Sequence, residues 1–413
     1  MLSYGIRNNE KRMIHMKYDR NHRNEELQAW SELLLREDEP STPELPDEPQ
    51  EQPPKKKKKW KRVLLGIFLT LLGLVVAAVL AVLLYINHLL NQITPYDPAN
   101  DATVSSSMAE QLVLEDPEAV TVPPEEEENL PQLEEITVPE EPVEEPGVNW
   151  DNVVNILLVG QDRRPGQGRQ RSDTMIMVTI NKSQKSITLT SFMRDAHVSI
   201  PGYKSNKLNA AYAFGGMSLL NQTLERNYGV RIDGDIEVDF NSFRKIIDLL
   251  GGVDISLTEK EATYLNNGLG LNGTSRELHV GKQRLDGELA LCYARLREID
   301  SDYRRAERQR TVLSSLIQRY QGLPVTEMLS LLEEILPIVV TNMSKGDIVD
   351  YVMDLAPMVS GAQLNTLRIP ADGTFKQGIV RARPGLAAWF QYDIDFDANK
   401  GILYELFREN ESE

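Results

Sequence analysis

Residues 63–86 read VLLGIFLTLLGLVVAAVLAVLLYI, twenty-four positions without a charge. At about 1.5 Å per residue, a helix of that length reaches roughly 36 Å, enough to cross a hydrocarbon core of about 30 Å with some tilt. The run has no polar face, so it does not read as the amphipathic helix of a globular core. It exceeds the apolar stretch of a signal peptide and begins after 62 residues, so removal as a simple signal is not expected. A chain carrying such a segment is expected to divide into a part on each side of a bilayer.

The flanks set the orientation. Residues 55–59 are all lysine and are followed by Trp60, Lys61 and Arg62, whereas no Lys or Arg occurs after the apolar run until Arg163. Basic flanks stay on the cytoplasmic side. The expectation is a single-pass signal anchor in the cell membrane, N-terminus cytoplasmic, with everything downstream extracellular. A lysine run can also serve nucleic acid, but its contact with an apolar 24-mer favours the topogenic role.

Charge is distributed very unevenly. Residues 1–62 carry 14 basic and 12 acidic side chains, and residues 63–151 carry 17 acidic and no basic ones. The remaining 262 residues carry 31 basic and 33 acidic side chains, so the net charge of −17 belongs to one segment. The body after it is nearly balanced and can hold a local basic pocket. Four parts are expected. Residues 1–62 form a mostly disordered tail, 63–86 the anchor, 87–150 an acidic Pro/Glu-rich stalk too poor in apolar residues to fold, and 151–413 a single domain. One cysteine excludes an internal disulfide framework and a thiolate-rich zinc site.

Within that domain, apolar β-branched runs predict strands over 153–160, 174–180, 186–193 and 253–257. Helical spacing predicts helices over 209–227, 242–250, 306–320 and 325–340. Residues 285–291 read as a short helix and CYARLR (292–297) as a strand. This mixture predicts one α/β (α+β) domain with a central mixed sheet flanked by helices.

Chemistry gathers where these strands end. Strand 153–160 runs into Asp162, Arg163 and Arg164; Arg171 and Asp173 open the next; Arg194 and Asp195 follow the third. If both connections reverse the chain, all six of Asp162, Arg164, Arg171, Asp173, Arg194 and Asp195 fall on one sheet edge. An ordinary solvated edge accounts for them as well. A second cluster holds Arg295 and Arg297, which would share a face of a strand, and Arg305 and Gln309, which share a face of a helix. Arg308 and Arg310 lie in the same stretch, and a salt-bridged surface with Glu298, Asp300, Asp302 and Glu307 is the alternative. Together the clusters offer carboxylates able to hold Mg²⁺ beside substrate phosphates and arginine forks suited to a diphosphate. Ala210, Ala211, Tyr212, Phe214, Leu219 and Leu220 could line an apolar slot for a lipid tail, or simply pack the core.

The ordered set VGQDRR, RSDTMIMVTIN, ITLTSFMRDAHVSIPG, KLNAAYAFGG, LLGGVDISL, LDGELALCYARLREIDSDYRRAERQR and IPADGTF resembles the LytR-CpsA-Psr family over residues 153–413. The resemblance implies a phosphotransferase in a Gram-positive-type envelope. Such an enzyme moves a glycopolymer (teichoic acid, capsule or a related polysaccharide) from an undecaprenyl-diphosphate carrier to peptidoglycan, forming a phosphodiester with Mg²⁺ assisting. By motif, Asp162 and Asp173 would hold the metal. Arg164, Arg171, Arg194, Arg295, Arg297, Arg305 and Gln309 would hold the diphosphate, and Asp195 would orient it or act as base. Arg308 is a weaker candidate, and Arg163 and Arg304 leave open which arginine of each adjacent pair points inward.

Two other activities fit the same residues. A polyprenyl-diphosphate hydrolase would use water as acceptor, and a wall-polymer binding protein would use the arginines without turnover. Nucleic acid is not expected as a partner, because the tail has no helix-turn-helix pattern and the domain is placed outside the membrane. His197 and His279 lack motif-level partners for Ser/His/Asp catalysis.

Overall fold

A computed structural model describes residues 102–114, 119–138, 148–161, 169–321, 325–348 and 361–409, residues 350 and 351, and scattered positions from 70 to 97. The chain divides into two compact units, Met1–Leu74 and Val75–Glu413. The expected tail lies outside the described residues, as does most of the expected anchor. Among the described residues no helix is long and apolar enough to cross a membrane.

The second unit is built on a mixed sheet. Its strands are β1 (Val153–Gln161), β2 (Ser172–Asn181), β3 (Ser186–Phe192), β4 (Gly234–Val238), β7 (Val340–Thr341) and β8 (Gln363–Ile369). The spatial order is Thr94–Pro95, β7, β4, β1, β2, β3, β8. β1, β2 and β3 are antiparallel neighbours, whereas β4 runs parallel to β1 and β8 parallel to β3. The end of β1, the start of β2 and the end of β3 therefore share one edge, as alternating direction predicts.

Strand alternation sends odd and even residues of β1 and β2 to opposite faces. Val153, Leu157, Val159, Met175 and Met177 pack against α1 (Leu208–Tyr228) in one core. Val154, Ile156, Val178 and Ile180 face the other side. That second face is overlaid by α2 (Phe240–Leu249), α3 (Glu259–Leu269), α4 (Gly287–Arg295), α5 (Asp302–Gln321) and α6 (Val325–Ile335). Much of this helical layer shares its own core with the antiparallel pair β5 (Val253–Leu257) and β6 (Gly281–Leu285), which α3 connects. A hairpin of β9 (Lys376–Arg383) and β10 (Leu386–Tyr392), followed by α7 (Phe396–Phe407), comes last among the described elements.

Two expectations are corrected. Residues 292–295 are helical, not extended: they form the last turn of α4, whose N-cap Asp286 accepts from Leu289 N. The four apolar residues Leu289, Ala290, Tyr293 and Ala294 recur at helical spacing and bury one face. The expected stalk is also partly folded. Ser106–Leu114 is a helix with Ala109 buried, and Val120–Thr121 pairs with β10. Glu127 binds Arg381 at 2.5 Å and Glu110 lies 3.5 Å from Arg383. Average composition hid the few apolar residues that dock and the arginines elsewhere that offset the acidic ones.

Candidate active site

Between the second face of the sheet and the helical layer lies a cavity of about 790 Å³. Leu158, Ile176, Ile236, Phe240, Phe243 and Leu265 are among its predominantly apolar lining residues. Its polar wall includes Asp173, Arg295, Arg297, Arg305 and Gln309. The body of the cavity is thus greasy and one end is cationic.

The cationic end is organised around Asp173, the second residue of β2. Arg194 Nη1 donates to Asp173 Oδ1 at 2.7 Å, and Arg297 Nη2 lies 3.4 Å from Oδ2. Arg194 follows β3, so the strand reversal brings these two together. Asp302 opens α5 and sits 3.6 Å from Arg194 Nη2 and 2.8 Å from Arg305 Nη2. Three arginines therefore share two carboxylates. Arg305 is buried, and its Nε and Nη1 have no hydrogen-bond partner among the described residues. Donors buried without partners beside a cavity are suited to an anionic guest.

Ionisation follows from this crowding. Burial pushes the Asp173 carboxyl up, but Arg194, Arg305 and Arg297 override it and hold it below the ordinary carboxylate value. Burial, helped by repulsion from Arg194 and Arg297, lowers Arg305 to about 10 despite the attraction of Asp302. Both groups are charged at neutral pH.

The other expected residues divide. Arg295 reaches the cavity from the end of α4 and stacks on Phe240, 4.2 Å to the ring centroid. It does so from a helix, so the shared strand face expected for Arg295 and Arg297 does not exist. Gln309 joins Arg305 on the cavity side of α5. Asp195 is buried between Lys207 Nζ at 3.0 Å and Arg194 Nε at 3.6 Å. It is not among the cavity lining, and it touches Arg194, the arginine that binds Asp173. Arg171 Nη2 donates to Leu112 O at 3.0 Å and is not among the cavity lining. Asp162, Arg163 and Arg164 lie outside the described residues. Arg304 pairs with Glu307 at 2.7 Å on the exposed side, leaving Arg305 as the inward member of that pair. Arg308 is buried, not solvent-facing; it donates to Glu261 Oε1 at 2.7 Å and also binds Asp300 and Leu296 O.

The apolar slot expected from Ala210, Ala211, Tyr212, Phe214, Leu219 and Leu220 is also corrected. These residues are buried in the core on the opposite face of the sheet. The cavity instead uses α2 and α3. Phe240, Phe243, Ile246 and Ile247 recur at helical spacing, the signal that could have found it. Lys207, the buried partner of Asp195, was missed because its role depends on the fold that brings residue 207 against residue 195.

A mixed α/β domain whose apolar cavity opens onto buried arginines is built to receive an amphiphile with an anionic head. The sequence matches the model of the LytR_cpsA_psr family over residues 126–384, and the chain belongs to that family. Among its relatives is the polyisoprenyl-teichoic acid–peptidoglycan teichoic acid transferase TagU of Enterococcus faecalis. It is 37% identical over 196 residues, which span 46% of this chain and 60% of that one. The protein of the same name from Bacillus mycoides is 31% identical over 236 residues, spanning 56% and 73%. The structure of TagT bound to LIIa-WTA superposes with a TM-score of 0.50 at 26% identity, covering 62% of this chain and 91% of that one.

Proposed function

We propose that this protein transfers a glycopolymer from an undecaprenyl-diphosphate carrier to peptidoglycan. The apolar cavity ending in Arg297 and Arg305 carries the reading, because a polyprenyl diphosphate has the same division into greasy tail and charged head. The names of the relatives supply the polymer class and the acceptor. The tail would lie along Leu158, Phe243 and Leu265, and the diphosphate would take the spare donors of Arg305 beside the guanidiniums of Arg194 and Arg297. An acceptor hydroxyl oxygen then attacks the sugar-side phosphorus, the bond to the lipid phosphate breaks, and a phosphodiester forms. The hydroxyl proton passes to Asp173, the cavity-lining carboxylate that Arg194 and Arg297 hold at the mouth. Asp173 is a weak base when held ionised, but a loose phosphoryl-transfer transition state asks little of one. The arginines stabilise charge developing on the leaving lipid phosphate.

Mg²⁺ belongs to this proposal. Asp173 offers a hard oxygen at the mouth, and Asp162 would be its companion; Mg²⁺ is commonly bound by one or two carboxylates together with substrate phosphates. Bound there, it would neutralise diphosphate charge. The membrane anchor and the extracellular placement are also proposed. In support, Leu80 and Leu84 are helical and their side chains are exposed, at 54% and 69%.

The test is turnover by the full chain in detergent, with a polyprenyl-diphosphate saccharide, peptidoglycan fragments and Mg²⁺, followed by mass spectrometry. Joined product that falls by about 10²–10³-fold in Arg297→Ala supports the transferase. Lipid cleavage without joining would make it a hydrolase, and binding without turnover a wall-polymer binding protein.

A further inference from the structure

Arg310 and Arg368 are two partly buried guanidiniums on the cavity side of the sheet that the diphosphate reading leaves unused. Arg368 is in register with Ser191 of β3, and Ser191 stands opposite Ile176 of β2, which lines the cavity. Directly paired residues share a face, so Arg368 emerges on the cavity side, about 10 Å or two strand spacings from Ile176. It also lies at the sheet edge that carries Arg194, because Met193 N donates to Ile369 O at 2.8 Å. Its guanidinium covers the Tyr303 ring, 4.3 Å to the centroid. Arg310 follows Tyr303 by two turns of α5 and so shares its helix face.

These groups have donors to spare. Arg310 Nε and Nη1, Arg368 Nε and Ser191 Oγ are buried atoms with no hydrogen-bond partner among the described residues. The acids nearby do not reach these buried donors. Glu307 pairs with Arg304; Asp372 does engage Arg368, but at Nη2 and from a position 90% exposed, which leaves the buried Nε of Arg368 without a partner. Burial, and then the charge of Arg368, holds Arg310 below its ordinary pKa although Glu307 opposes this. Two desolvated cations beside an unpaired hydroxyl are matched by an oxyanion.

We infer that Arg310, Arg368 and Ser191 form a second anion subsite beside the diphosphate mouth, and that it takes a phosphodiester of the glycopolymer being transferred. This rests on the proposed donor and narrows its class to phosphate-bearing polymers over neutral ones.

The test compares two donors on the full chain in detergent. One is a polyprenyl-diphosphate disaccharide; the other is the same molecule extended by one glycerol phosphate. Wild type is expected to show a KM about tenfold lower for the extended donor, the value of one or two charge-assisted hydrogen bonds. Arg310→Gln and Arg368→Gln should abolish that advantage and leave KM and kcat for the short donor unchanged, while Arg310→Lys restores part of it. Equal KM for both donors in wild type, or equal losses on both in the variants, would overturn the inference. Calorimetry with tri(glycerol phosphate) and with inorganic phosphate decides the matter even if neither donor turns over, which would sink the transferase reading alone. Binding of the trimer that is lost in the double glutamine variant upholds the subsite. Binding of inorganic phosphate only, or binding unaffected by the substitutions, refutes it.

Discussion

Asp173 is the residue on which the mouth turns, since it touches Arg194 and Arg297 and its carbonyl lies 3.5 Å from Arg305 Nη2. Removing its charge while keeping its shape should loosen all three arginines at once. Asp173→Asn is expected to lower kcat/KM by about 10²-fold or more, a loss of roughly 3 kcal/mol of transition-state stabilisation. Steady-state kinetics on the lipid-linked donor checks this, and an effect below about threefold would place the residue outside the machinery. Because its folded pKa is depressed, Asp173 contributes stability above its unfolded pKa. That contribution is lost only as pH falls below the ordinary carboxylate range. His197 acts in a different window. Burial against Phe390 lowers it from 6.5 to about 4, overcoming attraction from Glu135 and Asp393 and a backbone hydrogen bond to Ser205. Between those values the unfolded chain binds the proton and the folded one does not, so stability falls as pH drops from about 6.5 to 4, by up to about 3 kcal/mol. Thermal unfolding from pH 7 to 4 should show this slope, and His197→Phe should flatten it.

At the scale of elements, α5 is fastened to the layer beneath it by Arg308, which bridges Glu261 of α3 to Asp300 and Leu296 O before α5. Glu261 itself completes the capping box of α3 with Thr258. Arg308→Met leaves a buried carboxylate without its cation and should cost about 3–5 kcal/mol. The pair Glu261→Gln with Arg308→Met should cost clearly less than the sum of the single changes, measured by denaturant unfolding. This strut explains what the sequence did and did not disclose. Asp173 and Arg194 were legible because strand direction brings them to one sheet edge, and Arg305 and Gln309 because helical spacing puts them on one helix face; both are local rules. Arg297 was expected on a strand that is not there, and it reaches Asp173 from the loop after α4. The strut role of Arg308 was not legible, because nothing in its neighbours' spacing says that Glu261, 47 residues earlier, will meet it in the interior. The same holds for Lys207 and Asp195. The lipid slot was misplaced for a related reason. The first half of α1, Leu208–Met217, is buried on every side in the core, whereas α2 is amphipathic and leaves its apolar face for the cavity.

For the molecule as a whole, the sheet works as a partition. One face is sealed by α1 and α7 into a packed core, and the other is covered by a helical layer that leaves a space of about 790 Å³. A cavity of that size in a well-packed domain costs stability unless something fills it, and its lining says the filler is hydrocarbon. A guest with an anionic head also offsets the burial, and the lesser repulsion from Arg194 and Arg297, that depress Arg305, so binding should raise the melting temperature at neutral pH through linkage. Tail length is the variable that separates a hydrocarbon slot from a mere anion site. Each buried CH₂ is worth about 0.8 kcal/mol, so every added C5 unit that enters the cavity should tighten binding by at least about tenfold. Geranyl, farnesyl and geranylgeranyl diphosphate should therefore form a rising series in affinity and in thermal shift, until the cavity is full and the increments stop. Leu265→Trp, which places bulk within the lining, should end the series one unit earlier without weakening inorganic diphosphate. Equal affinities for all three lipids and for inorganic diphosphate would mean that the cavity holds no tail. The arginines at its mouth would then serve an anion alone.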